Sequence, residues 1–134
     1  MSLIKQLLRE NFNVIERRKA YPQYIKMFME FAKKELGIKG KIVVKLTFDK
    51  SKTNTLAHYE VGGGILVYIK DRSYMDSCRS IVHEMVHAKQ YEDGRLTNPL
   101  EQGQDGTPEE NEANSLAGEI MRKWGKLYPQ LYEL

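Results

Sequence analysis

Two periods alternate along the chain. Leu3, Ile4, Leu7 and Leu8 recur at helical spacing and predict a short first helix. Tyr24, Phe28, Phe31, Ala32 and Leu36 trace the apolar stripe of a second helix. Pro22 suits its first turn, and Gly37 and Gly40 end it. The period then drops to two. Over 41–48, Ile42, Val44, Leu46 and Phe48 point one way while Lys41, Lys45 and Thr47 point the other, which predicts a half-buried strand. A polar, turn-like stretch at 51–55 precedes two further expected strands, 56–60 and 65–70, joined by a turn at Gly62, Gly63 and Gly64.

Helical spacing returns over 72–92 and stops at Asp93-Gly94. Residues 94–106 have no periodicity, and irregular segments of this length are often functional. Thr107-Pro108-Glu109-Glu110 then reads as a capping box with proline at the first helical position. The helix it opens carries Ala113, Leu116, Ala117, Ile120, Met121 and Trp124 on one stripe. The order is helix, helix, small sheet, helix, helix, an α+β arrangement. No repeat or linker divides the 134 residues, so a single domain over 1–134 is expected.

The third predicted helix holds His83-Glu84-Met85-Val86-His87, an HExxH motif. Two histidines four residues apart lie about 40° apart on one helical face, so their imidazoles can converge on one ion. Zinc suits such a pair, and the intervening glutamate can act on a metal-bound water. Tyr74, Cys78, Ile81, Met85 and Ala88 fall on the opposite side. The helix is therefore expected to pack with that side and to present the histidines from the other.

Catalytic zinc takes three protein ligands and keeps one position open. No histidine follows His87, and His58 upstream reads as a strand residue near the cleft. The next helix offers Glu109, Glu110 and Glu112. Glu110 occupies the capping-box position, and Glu109 lies in the first turn, where the helix dipole favours any carboxylate. Glu112 has neither role. It borders the buried stripe, where a carboxylate is costly unless paired or metal-bound, and is the expected third ligand.

Composition narrows the classes. With 41% hydrophobic and 29% charged residues the chain reads as globular rather than disordered. No apolar run approaches the roughly 18 residues of a spanning helix, and residues 1–9 lack the apolar block of a secretory signal, so neither membrane association nor secretion is expected. The single cysteine, Cys78, excludes a disulfide within the chain and favours a reducing, cytoplasmic setting. A net charge of +3 does not argue for nucleic acid. Residues 1–41 carry ten Lys/Arg against four Asp/Glu, whereas 92–119 carry eight Asp/Glu against one Arg. Two solvated faces account for that split.

The residues His83–His87 followed by Ala88-Lys89-Gln90-Tyr91, and then Asn111-Glu112-Ala113-Asn114, resemble a gluzincin-type zinc metallopeptidase. Within that clan the short chain is similar to minigluzincins and to ImmA/IrrE-like intracellular peptidases. The resemblance covers roughly residues 64–124. It implies a zincin-like fold, with a small, mostly antiparallel sheet packed on the HExxH helix and a glutamate helix, preceded by N-terminal helices. It also implies that Glu112 completes one zinc site with His83 and His87. The strand at 65–70 would be the edge strand that pairs with an extended substrate.

The expected activity is zinc-dependent endopeptidase cleavage of a protein or peptide, including a specific intracellular protein. Glu84 would be general base and then general acid. Tyr91, ahead of Tyr59 and His58, is the candidate for stabilising the oxyanion. The competing expectation is a non-catalytic zinc-containing module that binds a peptide or partner, with His58 or an aspartate of 93–106 closing the metal site. The tail from Tyr128 to Leu134 also has side chains that could occupy the cleft and inhibit the enzyme, although a tail packed on the surface or disordered is the plainer expectation.

Overall fold

The computed structural model describes residues 21–53, 55–61 and 64–134. The helix expected over 3–8 lies outside the described residues. The described elements, in order, are α1 (Tyr21–Leu36), β1 (Val44–Thr47), β2 (Ala57–Tyr59), β3 (Ile65–Tyr68), α2 (Tyr74–Glu92), the short α3 (Pro99–Gln102) and α4 (Pro108–Leu127). The architecture is α+β, as the periodicity predicts. No described helix is long and apolar enough to cross a membrane.

The sheet differs from expectation in two ways. Its strand order is β1-β3-β2, with β3 parallel to β1 and antiparallel to β2. It is thus evenly mixed rather than mostly antiparallel. The strand expected at the edge, within 65–70, is the central one. The cause lies in burial and in the turns. Ile65 and Val67 are 1% and 0% exposed, so β3 takes the most covered place. A tight hairpin, closed by Glu60 N–H donating to Gly64 O at 3.0 Å, sets β2 on one side. Gly64 then permits the parallel pairing with β1. A Cβ there would stand 2.9 Å from the Val43 carbonyl oxygen, the same oxygen that accepts from Ile65 N–H at 2.8 Å. β1 follows its predicted alternation through Ile42, Val44 and Leu46, which pack on the core, but Phe48 is 69% exposed.

α2 is the axis of the molecule. Ser73 caps its first turn by accepting from Asp76 N–H at 3.1 Å, so the helix starts two residues later than its spacing suggests. The Tyr74 hydroxyl donates to the Tyr24 carbonyl of α1 at 2.8 Å. Phe28 and Phe31 of α1 meet Trp124 of α4, with ring centroids 5.5 and 5.0 Å apart. α4 covers the histidine side of α2, and His87 is buried beneath it.

After α4 the chain turns through a 3-10 segment at Pro129–Glu133 and seats Leu131, fully buried, in the same core. The segment 94–106 is more ordered than its sequence suggests. Its hub is Gln102, whose amide oxygen accepts from Thr97 N–H and Asn98 N–H at 2.9 and 2.7 Å. The amide nitrogen of Gln102 donates to Arg95 O and to a Glu109 oxygen, both at 2.9 Å.

Candidate metal centre

The two histidines come from the middle of α2 and point toward the start of α4, with ring centroids 5.2 Å apart. The carboxylate between them is that of Glu110. Its Oε1 lies 2.8 Å from His83 Nε2 and its Oε2 3.0 Å from His87 Nε2. Ligand atoms of all three residues fall within 4.8 Å of one another. Among the described residues this trio is the group of histidine and acidic side chains able to hold a metal ion.

Glu112, the expected third ligand, is elsewhere. Both of its carboxylate oxygens are taken by Arg95, at 3.0 and 2.9 Å, and one also accepts from Gln90 at 3.2 Å. Arg95 holds its carboxyl below the usual glutamate range. The capping box that was expected to occupy Glu110 is only half formed. Thr107 does accept from Glu110 N–H, at 3.3 Å. The reciprocal bond is not made, because Thr107 N–H already donates to Gln104 O at 3.3 Å. Glu110 is thereby released to the histidines.

The helical phase carried the correct signal. At about 100° per residue, Glu110 aligns with Ala113 and Ala117, the small buried positions that let α2 approach, whereas Glu112 is turned well away from it. Glu109, the other alternative, accepts from Gln102 through its carboxylate and from Gln90 through its carbonyl.

The donor set suits a cation. His87 Nδ1 lies 2.9 Å from the amide oxygen of Gln90. Two nitrogen donors and a carboxylate around one point are a ligand set of catalytic zinc. Burial lowers the pKa of His83, opposed by Glu110, while His87 lowers it further. Of these influences, burial and the neighbouring imidazole favour the neutral ring that a metal requires.

Glu84 stands beside this group. Burial pushes its carboxyl up to about 7, against the pull of His87, while Glu110 adds to the rise. The backbone N–H of Tyr59 donates to it and works in the opposite direction. All four side chains line a cleft of about 630 Å³. Ala57, His58 and Tyr59 of the edge strand β2 form one wall, and Leu96, Pro99 and Asp105 of the 94–106 segment contribute another.

The remaining sequence candidates divide. Tyr59 and His58 line the cleft, but Tyr91 does not. Tyr91 sits one turn beyond His87, 44% exposed, with its ring 6.5 Å from that of Tyr59. His58 does not join this trio. Its Nδ1 meets Thr53 Oγ1 at 2.9 Å and its Nε2 lies 3.5 Å from Glu60. None of residues 128–134 lines the cleft. Comparison with protein-family models, curated proteins and solved structures yields no match.

Proposed function

We propose that this chain is a zinc-dependent endopeptidase of gluzincin type, with His83, His87 and Glu110 as the metal ligands. The observation that carries the reading is the convergence of His83 Nε2, His87 Nε2 and the Glu110 carboxylate in a cleft that Glu84 also lines. A structural zinc would be closed by a fourth protein ligand. Of the residues expected to supply one, His58 is engaged with Thr53 and Glu60, Asp93 is paired with Lys89, and Asp105 lines the cleft without joining the His83, His87 and Glu110 group.

Zinc, when bound, acts as a Lewis acid and lowers the pKa of water toward neutrality. Glu84 takes the proton from the attacking water and passes it to the leaving amine. His58 and Tyr59 replace Tyr91 as the candidates to stabilise the oxyanion, since they line the cleft. The substrate is a peptide in extended form, seated along β2 rather than β3, because β2 is the strand that both ends the sheet and borders the cleft.

The test is elemental analysis of protein purified without chelators, followed by peptide-library cleavage with wild type and Glu84→Gln. About one zinc per chain and cleavage lost in Glu84→Gln, with zinc retained, are expected. A chain that binds zinc but cleaves nothing favours a peptide-binding module. Failure to take up zinc overturns the reading.

A further inference from the structure

The metal-ligand cluster is backed by a side-chain amide that the proposed chemistry does not use. Gln90 is fully buried on α2, one turn beyond His87. Its amide oxygen lies 2.9 Å from His87 Nδ1. Its amide nitrogen donates to Glu109 O at 3.0 Å and to Glu112 Oε1 at 3.2 Å. Both partners of the nitrogen are acceptors only, so the amide cannot be turned round without setting its oxygen against two other oxygens. The oxygen must therefore face His87. An amide oxygen can only accept, so His87 Nδ1 must carry a hydrogen. With Nδ1 committed to Gln90, Nε2 is the ring nitrogen left for a metal, and it is the atom that faces the Glu110 carboxylate, to which it is hydrogen-bonded at 3.0 Å.

We infer that Gln90 is the positioning residue of His87: it fixes the ring tautomer and orientation that turn Nε2 toward the metal. The inference rests on the zinc reading above. The chain of bonds does not stop at Gln90. Glu112 receives Gln90 on one side and the two-pronged Arg95 on the other. Arg95 O in turn accepts from Gln102, the hub of the 94–106 segment. A metal ligand and a cleft wall thus share one hydrogen-bonded frame, and Gln90 is where that frame meets the ligand. Outer-shell partners of ligating histidines raise their basicity and restrict their rings, and losing one typically weakens metal binding about 10- to 100-fold.

The test compares zinc affinity, by competition with a chromophoric chelator, for wild type, Gln90→Leu and Gln90→Glu. Their thermal stabilities are measured alongside in metal-free buffer. Gln90→Leu removes the acceptor and is expected to bind zinc about 10- to 100-fold more weakly. Gln90→Glu keeps an acceptor for His87 but places a second carboxylate beside Glu112, so it should be less stable than wild type yet hold zinc far better than the leucine variant. A merely structural residue would show affinity following stability in both variants, and that outcome overturns the inference.

A second readout needs no variant. In zinc-loaded wild type, nitrogen-correlated NMR of the histidine rings should show His87 with a protected hydrogen on Nδ1 and the metal on Nε2. The opposite tautomer overturns the inference while leaving the zinc reading intact. Wild type that takes up no zinc overturns both.

Discussion

Arg95 grips Glu112 with two guanidinium nitrogens, at 3.0 and 2.9 Å, and so ties the segment after α2 to the second turn of α4. The same pair explains why two glutamates two residues apart have separate tasks. Glu112 secures a loop, and Glu110 faces the histidines. Glu110→Gln is expected to weaken zinc binding by more than the roughly 10- to 100-fold of an outer-shell change. Glu112→Gln should leave zinc affinity close to wild type. Breaking this largely solvated pair should cost only about 0.2–1 kcal/mol of stability. Chelator competition and thermal melts of the two variants check both statements.

The tail is expected to act on stability rather than on access to the cleft. Leu131 is fully buried, and Leu134 packs against the same core. Leu131→Ala should destabilise the protein by about 2–5 kcal/mol, the usual range for emptying a core leucine site. Removing the residues after Lys126 should lower the melting temperature further. Relief of inhibition in the truncated chain, with unchanged melting, would contradict this.

Cys78 should be inert in the folded protein. It is fully buried on α2, and burial pushes its thiol pKa up, opposed by a hydrogen bond with Tyr74. Thiolate is the reactive form. A disulfide reagent at pH 8 is expected to leave the native thiol untouched and to titrate one thiol per chain in denaturant. Rapid labelling of native protein would show that α2 opens.

Acid sensitivity should be traceable in part to Glu92. Its carboxylate accepts from Lys39 N–H at 3.0 Å and from Gly40 N–H at 2.6 Å, linking the end of α2 to the turn after α1. Those bonds depress its pKa below the ordinary 4.5. A depressed carboxyl contributes stability above its unfolded pKa and loses it as pH falls through the folded value. Glu92→Gln is therefore expected to melt below wild type at pH 7, with the gap closing below about pH 4 as the wild-type carboxylate protonates. Melts at a series of pH values check the sign.

Much of the frame was legible because it is local. The stripe of α1, the alternation of β1, the HExxH pair and the Thr107 cap are each written within a few residues, and each is found near its predicted place. What was not legible depends on non-local competition. Which strand is central follows from how the hairpin and Gly64 meet Val43 across the sheet. Which glutamate faces the histidines was legible in the helical phase of α4, but the capping-box pattern outweighed it, and Thr107 N–H is in fact taken by Gln104 O. Gln102 carries no spacing signature, and Gln90, although one turn beyond His87 on the same face, is marked as its partner only by the acceptors that α4 brings to its amide nitrogen.

Glu110 occupies the first turn of α4, one of the places where a helix frays most readily. Under the zinc reading, an ion held there clamps a helix end as well as a side chain. Its departure should then be felt in the peptide backbone, as faster amide exchange at residues 110–113 while the interior of α4 stays protected. The grip of Thr107 on Glu110 N–H would likewise be part of what sets metal affinity, although Thr107 is not itself a ligand.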